Sequence, residues 1–334
     1  MIKFGIVGLG RIGQVHLQNI QQYIPDAQIV AACSGSEQSL SFAASAGVKA
    51  LYTSFEKMLK ETSLDAVIIA SPTALHFEHL QLAIAAGVHI FCEKPIDLTL
   101  TNVLQIKDLV EESGIKFALG FNRRYDPNIL KIKRALEENR LGVVQTLRLI
   151  SRDPGPPPME YIKTSGGLFL DMAIHDFDLA RYLMGSEVTE IYTTATIYGE
   201  LPLETVGDVD TAVSILKFEN GSLATVENSR NSTYGYDQRV EVFGSKGLMA
   251  TKNKAEDTVY SADDQGFHST KPLKFFIERY KESYLNILER FVQCIKNNSK
   301  PEVTQYDGLQ SLLISLAAKK SQIENRTVAL SEIN

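Results

Sequence analysis

The 334-residue chain contains few cysteines, no long apolar run and no basic cluster. Cys33, Cys92 and Cys294 are odd in number and far apart, with no C-x-x-C pair. They exclude a disulfide framework or a zinc knuckle and read as reduced thiols of a cytoplasmic protein. No apolar stretch approaches the roughly 18 residues that a bilayer span requires. Met1–Val7 lacks the cationic start and long apolar core of a signal peptide. Lysine and arginine total 34 against 40 aspartates and glutamates, a net charge of −6. With no basic run longer than a pair, nucleic acid and anionic membrane surfaces are disfavoured as partners.

What remains is globular: 44% hydrophobic and 22% charged residues in a chain long enough for two domains. Up to residue 121, short apolar runs alternate with longer helical patterns. The runs are Ile2 to Val7, Gln28 to Cys33, Ala66 to Ala70, His89 to Cys92 and Lys116 to Phe121, with a weaker one at Ala50 to Tyr52. Helical spacing at Leu75 to Ala86 and Asn102 to Glu112 stops near Gly87 and Gly114. This is the punctuation of a parallel sheet wound by crossover helices, an α/β dinucleotide-binding (Rossmann) domain over residues 1–121.

From Asn122 the pattern changes to long period-two runs: Val144 to Ser151, Glu190 to Tyr198, Val209 to Phe218, Ser222 to Asn228 and Arg239 to Phe243. Asn220-Gly221 between two of them is a hairpin signal. Residues 122–334 are therefore expected to form an α+β domain with a mostly antiparallel open sheet. A stiff loop at Asp153 to Pro158 breaks the pattern, and helices are expected at Asn128 to Glu138, Leu168 to Met184, Phe275 to Lys296 and Gly308 to Glu324.

Gly8-Leu9-Gly10-Arg11-Ile12-Gly13 follows the first strand and opens a helix, the setting in which G-x-G-x-x-G binds a dinucleotide. Gly8 permits the turn, Gly10 lets backbone approach a pyrophosphate, and Gly13 brings helix and strand together. The second strand ends at Ser34 where an acidic residue would hold the adenosine ribose. NAD is the expected cofactor, while the missing acid leaves NADP open; no arginine follows in that loop to hold a 2′-phosphate, although Arg11 could lean across.

Ligands of an open parallel sheet bind beyond the carboxyl ends of its strands. Those ends carry Ser71 and Thr73 with His76 just after them, Glu93 and Lys94, and Asn122 with Arg123. A lysine leaving a buried strand there can hydrogen-bond a substrate hydroxyl and take part in proton transfer. Downstream, the four-residue spacing of Asp171 and His175 places both on one face of a helix. A carboxylate beside an imidazole orients the ring, making His175 a candidate general base. A capped core histidine and a partial metal site with Asp178 are the alternatives, and zinc would need a further ligand. His16, His79, His89 and His268 read as structural or surface residues.

Together the glycine loop, Glu93-Lys94-Pro95 and the Gly166-Gly167-x3-Asp171-x3-His175 pattern resemble the Gfo/Idh/MocA family of nicotinamide-dependent oxidoreductases over nearly the whole chain. Gly120 to Asp126, Ser151 to Pro154, Phe169 to Asp178, Tyr234 to Glu241 and Phe276 to Tyr280 look most like its inositol 2-dehydrogenases. The resemblance implies NAD-dependent oxidation of a cyclitol, myo-inositol to 2-keto-myo-inositol. Scyllo-inositol or aldose oxidation with NAD or NADP, or a non-catalytic cofactor-binding regulator, are the alternatives. His175 would be the base, Asp171 its support, and Lys94 would hold and polarise the reacting hydroxyl. Asn122, Arg123, Asp153, Tyr236 and Tyr280 would grip the other hydroxyls. No metal is implied, and association through the exposed face of the second sheet suggests a homotetramer.

Overall fold

The computed structural model describes residues 1–333. The chain divides into two compact units, Met1–Tyr125 with Glu282–Gln310, and Asp126–Lys281 with the chain from Ser311 onward.

The first unit alternates β1 (Ile2–Val7), α1 (Arg11–Tyr23), β2 (Ala27–Cys33), α2 (Glu37–Ser45), β3 (Ala50–Tyr52), α3 (Phe55–Glu61), β4 (Ala66–Ile69), α4 (His76–Ala85), β5 (His89–Cys92), α5 (Leu100–Ser113) and β6 (Phe117–Leu119). The strands form one parallel sheet in the order β3-β2-β1-β4-β5-β6. Strand order reverses direction between β1 and β4, which is where such sheets bind dinucleotides. β4 is buried at every residue, as expected of a parallel strand covered on both faces. All six apolar runs are strands, including the weak one at Ala50, and α5 ends on Gly114 in the left-handed region at φ 70°.

The second unit holds α6 (Pro127–Glu137), β7 (Val144–Arg152), α7 (Met159–Ser165), α8 (Ile174–Met184), β8 (Val188–Thr196), β9 (Thr211–Phe218), β10 (Leu223–Ser229), β11 (Asp237–Gly244) and β12 (Gly247–Ala250). A two-stranded hairpin, β13 (Tyr260–Asp263) and β14 (Gly266–Ser269), is followed by α9 (Phe276–Arg279), α10 (Lys281–Lys296), α11 (Gln305–Glu324) and β15 (Val328–Ala329). The main sheet runs β12-β11-β7-β10-β9-β8-β15 and is antiparallel except where β10 pairs with β7. Gly221 at φ 82° turns β9 into β10. Burial alternates along β9, so Ala212, Ser214, Leu216 and Phe218 face inward and Val213, Ile215 and Lys217 outward. The inner face packs with Phe177, Leu179 and Ala180 of α8 and with Ile314, Ala317 and Ala318 of α11.

Three expectations change. The boundary expected at residue 121 is not a single cut, because Glu282–Gln310 returns to the first unit. There Phe291 meets the rings of Phe4 and Phe91 at 6.2 and 6.0 Å, and Gly308 sits so close to Ile96 that a Cβ would lie 2.5 Å from its Cδ1. The helix expected over Leu168 to Met184 begins with a π segment, Leu168–Ala173, before α8. The helix expected over Phe275 to Lys296 is interrupted at Tyr280, between α9 and α10.

Candidate active site

Glycine geometry in the first loop fits a dinucleotide. A Cβ on Gly8 would lie 2.3 Å from the Ser71 amide nitrogen, and one on Gly13 would lie 2.0 Å from the Gly8 carbonyl oxygen. Both positions therefore require glycine, to pack β1, β4 and α1 together. Gly10 differs, for its Cβ direction is open to 4 Å, leaving the room a pyrophosphate needs. The amides of the first turn of α1 carry no side-chain cap and no acidic residue, so their partial positive charge is available to an anion. Arg11 is exposed and Ile12 half-buried at that turn, while Ser34 is half-buried and its Oγ accepts from the Ser36 amide at 3.2 Å.

Sheet register brings the other predicted residues to one edge. Val7, Cys33, Ile69, Cys92 and Leu119 lie in one cross-strand row. Gly8, Ser34, Ser71, Glu93 and Lys94 therefore emerge side by side at the strand ends. Burial pushes the Cys33 thiol up to about 11 and the Cys92 thiol well above its usual value, so neither is a thiolate at neutral pH.

Around half-buried Lys94 the supports are internal. Glu93 Oε1 lies 2.7 Å from Nε2 of fully buried His16, and Glu93 Oε2 accepts from the Lys94 amide at 3.3 Å. That carboxylate packs against Gly120, whose Cβ would come within 2.7 Å of it. Glu93, expected among the cofactor contacts, is therefore a wall of the loop that presents Lys94. His76 is tied to the same strand-end loops. It is 1% exposed and spans two loops, its Nδ1 2.7 Å from the Pro95 carbonyl oxygen and its Nε2 2.9 Å from that of Ser71. Burial lowers the pKa of His76 and outweighs the two carbonyls that favour the charged ring. His79 fixes the Ser71 hydroxyl at 2.9 Å, and Thr73 opens the short helical turn that precedes α4. Asn122 and Arg123 are 2% and 5% exposed, and Asn122 Nδ2 donates to Ser283 Oγ at 3.2 Å.

In the second unit Asp171 lies in the π segment and His175 in the first turn of α8. The four-residue spacing therefore does not follow regular α winding, since a π turn takes more than four residues. Gly167 opens this segment at φ 76°, where Asp208 Oδ1 accepts from the Leu168 amide at 2.9 Å. Asp171 takes a hydrogen bond from the Tyr161 hydroxyl at 3.0 Å and one from Arg230 at 3.3 Å. Half-buried His175 precedes Asp176, which accepts from Ser151 Oγ at 2.6 Å and Asn228 Nδ2 at 2.7 Å. Ser151 also meets Gln238 Oε1 at 2.9 Å, and the same oxygen accepts from the Tyr280 hydroxyl at 3.4 Å. Tyr280 and Tyr236 pack edge to face at 6.1 Å, and Arg279 covers the Tyr280 ring while ion-paired to Asp126. The Asp153 carbonyl accepts from the Ser232 amide at 2.9 Å, in the turn that leads to Tyr236. Asp176, Ser151, Gln238, Tyr280 and Tyr236 are thus joined by one continuous run of contacts, with His175 next to Asp176 in the chain.

Sequence reading did not single out Tyr161, Arg230, Gln238 or Ser283. His16, read as structural or surface, is structural: it lies on the buried stripe of α1 with Gly13, Leu17 and Ile20 and meets Glu93. Among the described residues no group of three His, Cys, Asp or Glu side chains could hold a metal ion. No described helix is long and apolar enough to cross a membrane.

A glycine-cradled switch point in a six-stranded parallel sheet defines a dinucleotide-binding fold. Residues 2–121 match the oxidoreductase family with an NAD-binding Rossmann fold, and residues 129–250 match the GFO/IDH/MocA C-terminal domain. The chain belongs to the GFO/IDH/MocA oxidoreductase family, and NAD is its cofactor. It is 42% identical to a myo-inositol 2-dehydrogenase of Thermotoga maritima, with 99% of each chain covered. It is 36% identical to an inositol 2-dehydrogenase of Rhizobium meliloti, again over 99% of each. A scyllo-inositol dehydrogenase from Lactobacillus casei, solved with NAD(H) and scyllo-inositol, superposes with TM-score 0.92 at 31% identity and 99% coverage of both chains.

Proposed function

We propose that the chain oxidises a secondary alcohol of a cyclitol, converting myo-inositol to 2-keto-myo-inositol with NAD. Likeness along 99% of both chains to a myo-inositol 2-dehydrogenase carries this reading, because it spans both the cofactor loop and the Asp171–His175 segment. Bound NAD supplies the acceptor for the hydride that leaves the carbinol carbon. Gly8, Gly10 and Gly13 would receive its pyrophosphate with the first turn of α1, Ser34 would lie by its ribose, and Ser71 and Thr73 would line its path.

His175 takes the proton of the reacting hydroxyl, and Asp171 stabilises the imidazolium that results. Lys94 donates a hydrogen bond to the same hydroxyl, polarising it as the proton leaves. Asn122, Arg123, Asp153, Tyr236 and Tyr280 orient the remaining hydroxyls. The protein acts in the cytoplasm. It assembles as a homotetramer through the outer face of the main sheet, where Val213, Ile215, Leu223 and Phe243 are 41–48% exposed.

Scyllo-inositol is the second reading, favoured by the likeness to the Lactobacillus casei enzyme. A panel of inositols and aldoses, each assayed with NAD and NADP, tests both. Highest kcat/KM on myo-inositol with NAD supports the first; turnover confined to aldoses overturns both. The presence of Lys94, Asp171 and His175 together argues against a regulator without catalysis.

A further inference from the structure

Arg230 follows β10 and is 1% exposed, the bulkiest of the fully buried side chains. Its Nη2 donates to Asp171 Oδ2 at 3.3 Å and its Nη1 to Asp208 Oδ2 at 3.5 Å, while its buried Nε has no hydrogen-bond partner. As a device for stability this is a poor arrangement. A buried guanidinium offsets its desolvation only through close, fully satisfied contacts, and here both are long and one donor is unspent. As a device for placing a carboxylate it is well built. Tyr161, on α7, donates to Asp171 Oδ1 at 3.0 Å, so the two carboxylate oxygens are held from two different elements. Asp208, from the loop before β9, anchors the guanidinium and also receives the Leu168 amide at 2.9 Å, which ties Arg230 to the start of the π segment.

We propose that Arg230 is a positioning residue for catalysis: with Tyr161 it holds the Asp171 carboxylate from two different elements and so fixes the orientation in which Asp171 supports His175. The inference rests on the reading of Asp171 and His175 as the acid–base pair. His175 then takes the proton of the substrate hydroxyl with Asp171 held in one orientation behind it, as an outer partner fixes a reacting group. Charged and titratable groups around the pair include Tyr161 from α7, Arg230 after β10, Asp208 before β9 and Asp176 beside His175, the last already holding Ser151 and Asn228.

The test compares Arg230→Gln, Arg230→Lys and Tyr161→Phe in the full chain, reading kcat and KM for myo-inositol across pH, NADH affinity and thermal stability. Removing the guanidinium makes proton binding nearby more favourable. Arg230→Gln is therefore expected to lower kcat about tenfold or more, to move the acid limb of kcat/KM to higher pH, and to leave NADH affinity within about twofold. Arg230→Lys, which keeps the charge without the fork, should hold the wild-type limb and recover part of kcat. A folded Arg230→Gln with wild-type kcat and an unmoved limb overturns the proposal. If that variant does not fold, Tyr161→Phe decides, since Tyr161 is 48% exposed: a drop in kcat of a few-fold at unchanged KM for NAD supports the proposal, and wild-type kcat overturns it. Should the wild type oxidise no cyclitol, the functional reading fails by itself. Proton NMR of the His175 ring then tests Arg230 without turnover: its titration moves to higher pH in Arg230→Gln, and an unmoved titration overturns the assignment.

Discussion

His16 Nε2 lies 2.7 Å from Glu93 Oε1, joining the helix that follows the glycine loop to the residue immediately before Lys94. The imidazole has no exposed surface and the carboxylate little, so removing one partner strands the other in a low-dielectric site. His16→Leu is expected to destabilise the fold by about 3–5 kcal/mol, as for a broken buried pair. In a double-mutant cycle with Glu93→Leu, urea unfolding should show the double variant losing clearly less than the sum of the singles. Additive losses would mean that the pair is not coupled.

Lys94→Ala and His175→Ala are each expected to lower turnover by about a hundredfold or more, the scale of lost acid–base assistance. NADH binding, followed by its fluorescence, should be largely retained. Near-normal turnover in either variant would remove that residue from the mechanism.

Ser34 stands where β2 ends, in the register row that carries the glycine loop. Ser34→Asp sets a negative charge where a ribose 2′-phosphate would lie, and a like-charge contact costs several kcal/mol. The ratio of kcat/KM for NAD to that for NADP should rise about tenfold or more, since tenfold corresponds to about 1.4 kcal/mol. An unchanged ratio would show that Ser34 does not adjoin the ribose.

Burial holds His76, His79 and His89 below the ordinary imidazole value, the Lys116 charge also lowering His89. Each group favours the fold fully above the unfolded value near about 6.5. As pH falls below that value, the unfolded chain takes up protons that the native protein declines, and the contribution is gone once pH passes the lowered folded values. Thermal melts from pH 7.5 downward should therefore show Tm falling below about pH 6.5, less steeply in His79→Asn. Parallel profiles for that variant and the wild type would exclude His79 as a contributor.

Ile215 points outward from β9 and is 48% exposed. Ile215→Asp places a charge at the centre of the proposed interface, where an unpaired buried charge is strongly unfavourable. Analytical ultracentrifugation should show the tetramer replaced by smaller species; an unchanged sedimentation coefficient would assign assembly to another surface.

Much of the fold was legible because its signals are local. Continuous apolar runs marked the parallel strands, alternation marked β9 and β10, and Gly114 and Gly221 ended a helix and turned a hairpin. The glycines of the first loop were legible from their spacing, Gly8 and Gly13 answering to a steric demand of nearby backbone and Gly10 leaving open space. The π winding at Asp171 was not, since it depends on Asp208, some forty residues away, holding the Leu168 amide.

The sequence by itself determined the cofactor class and the family pattern and put forward Lys94, Asp171 and His175 as candidates, because glycine geometry and motif spacing are written in consecutive residues. Only the tertiary structure decided which groups support them. His16 reaches Glu93 across 77 positions and Arg230 reaches Asp171 across 59. It also returned Glu282–Gln310 to the first unit and turned His76 inward. Such pairings arise from burial and charge between distant segments, and no local periodicity encodes them.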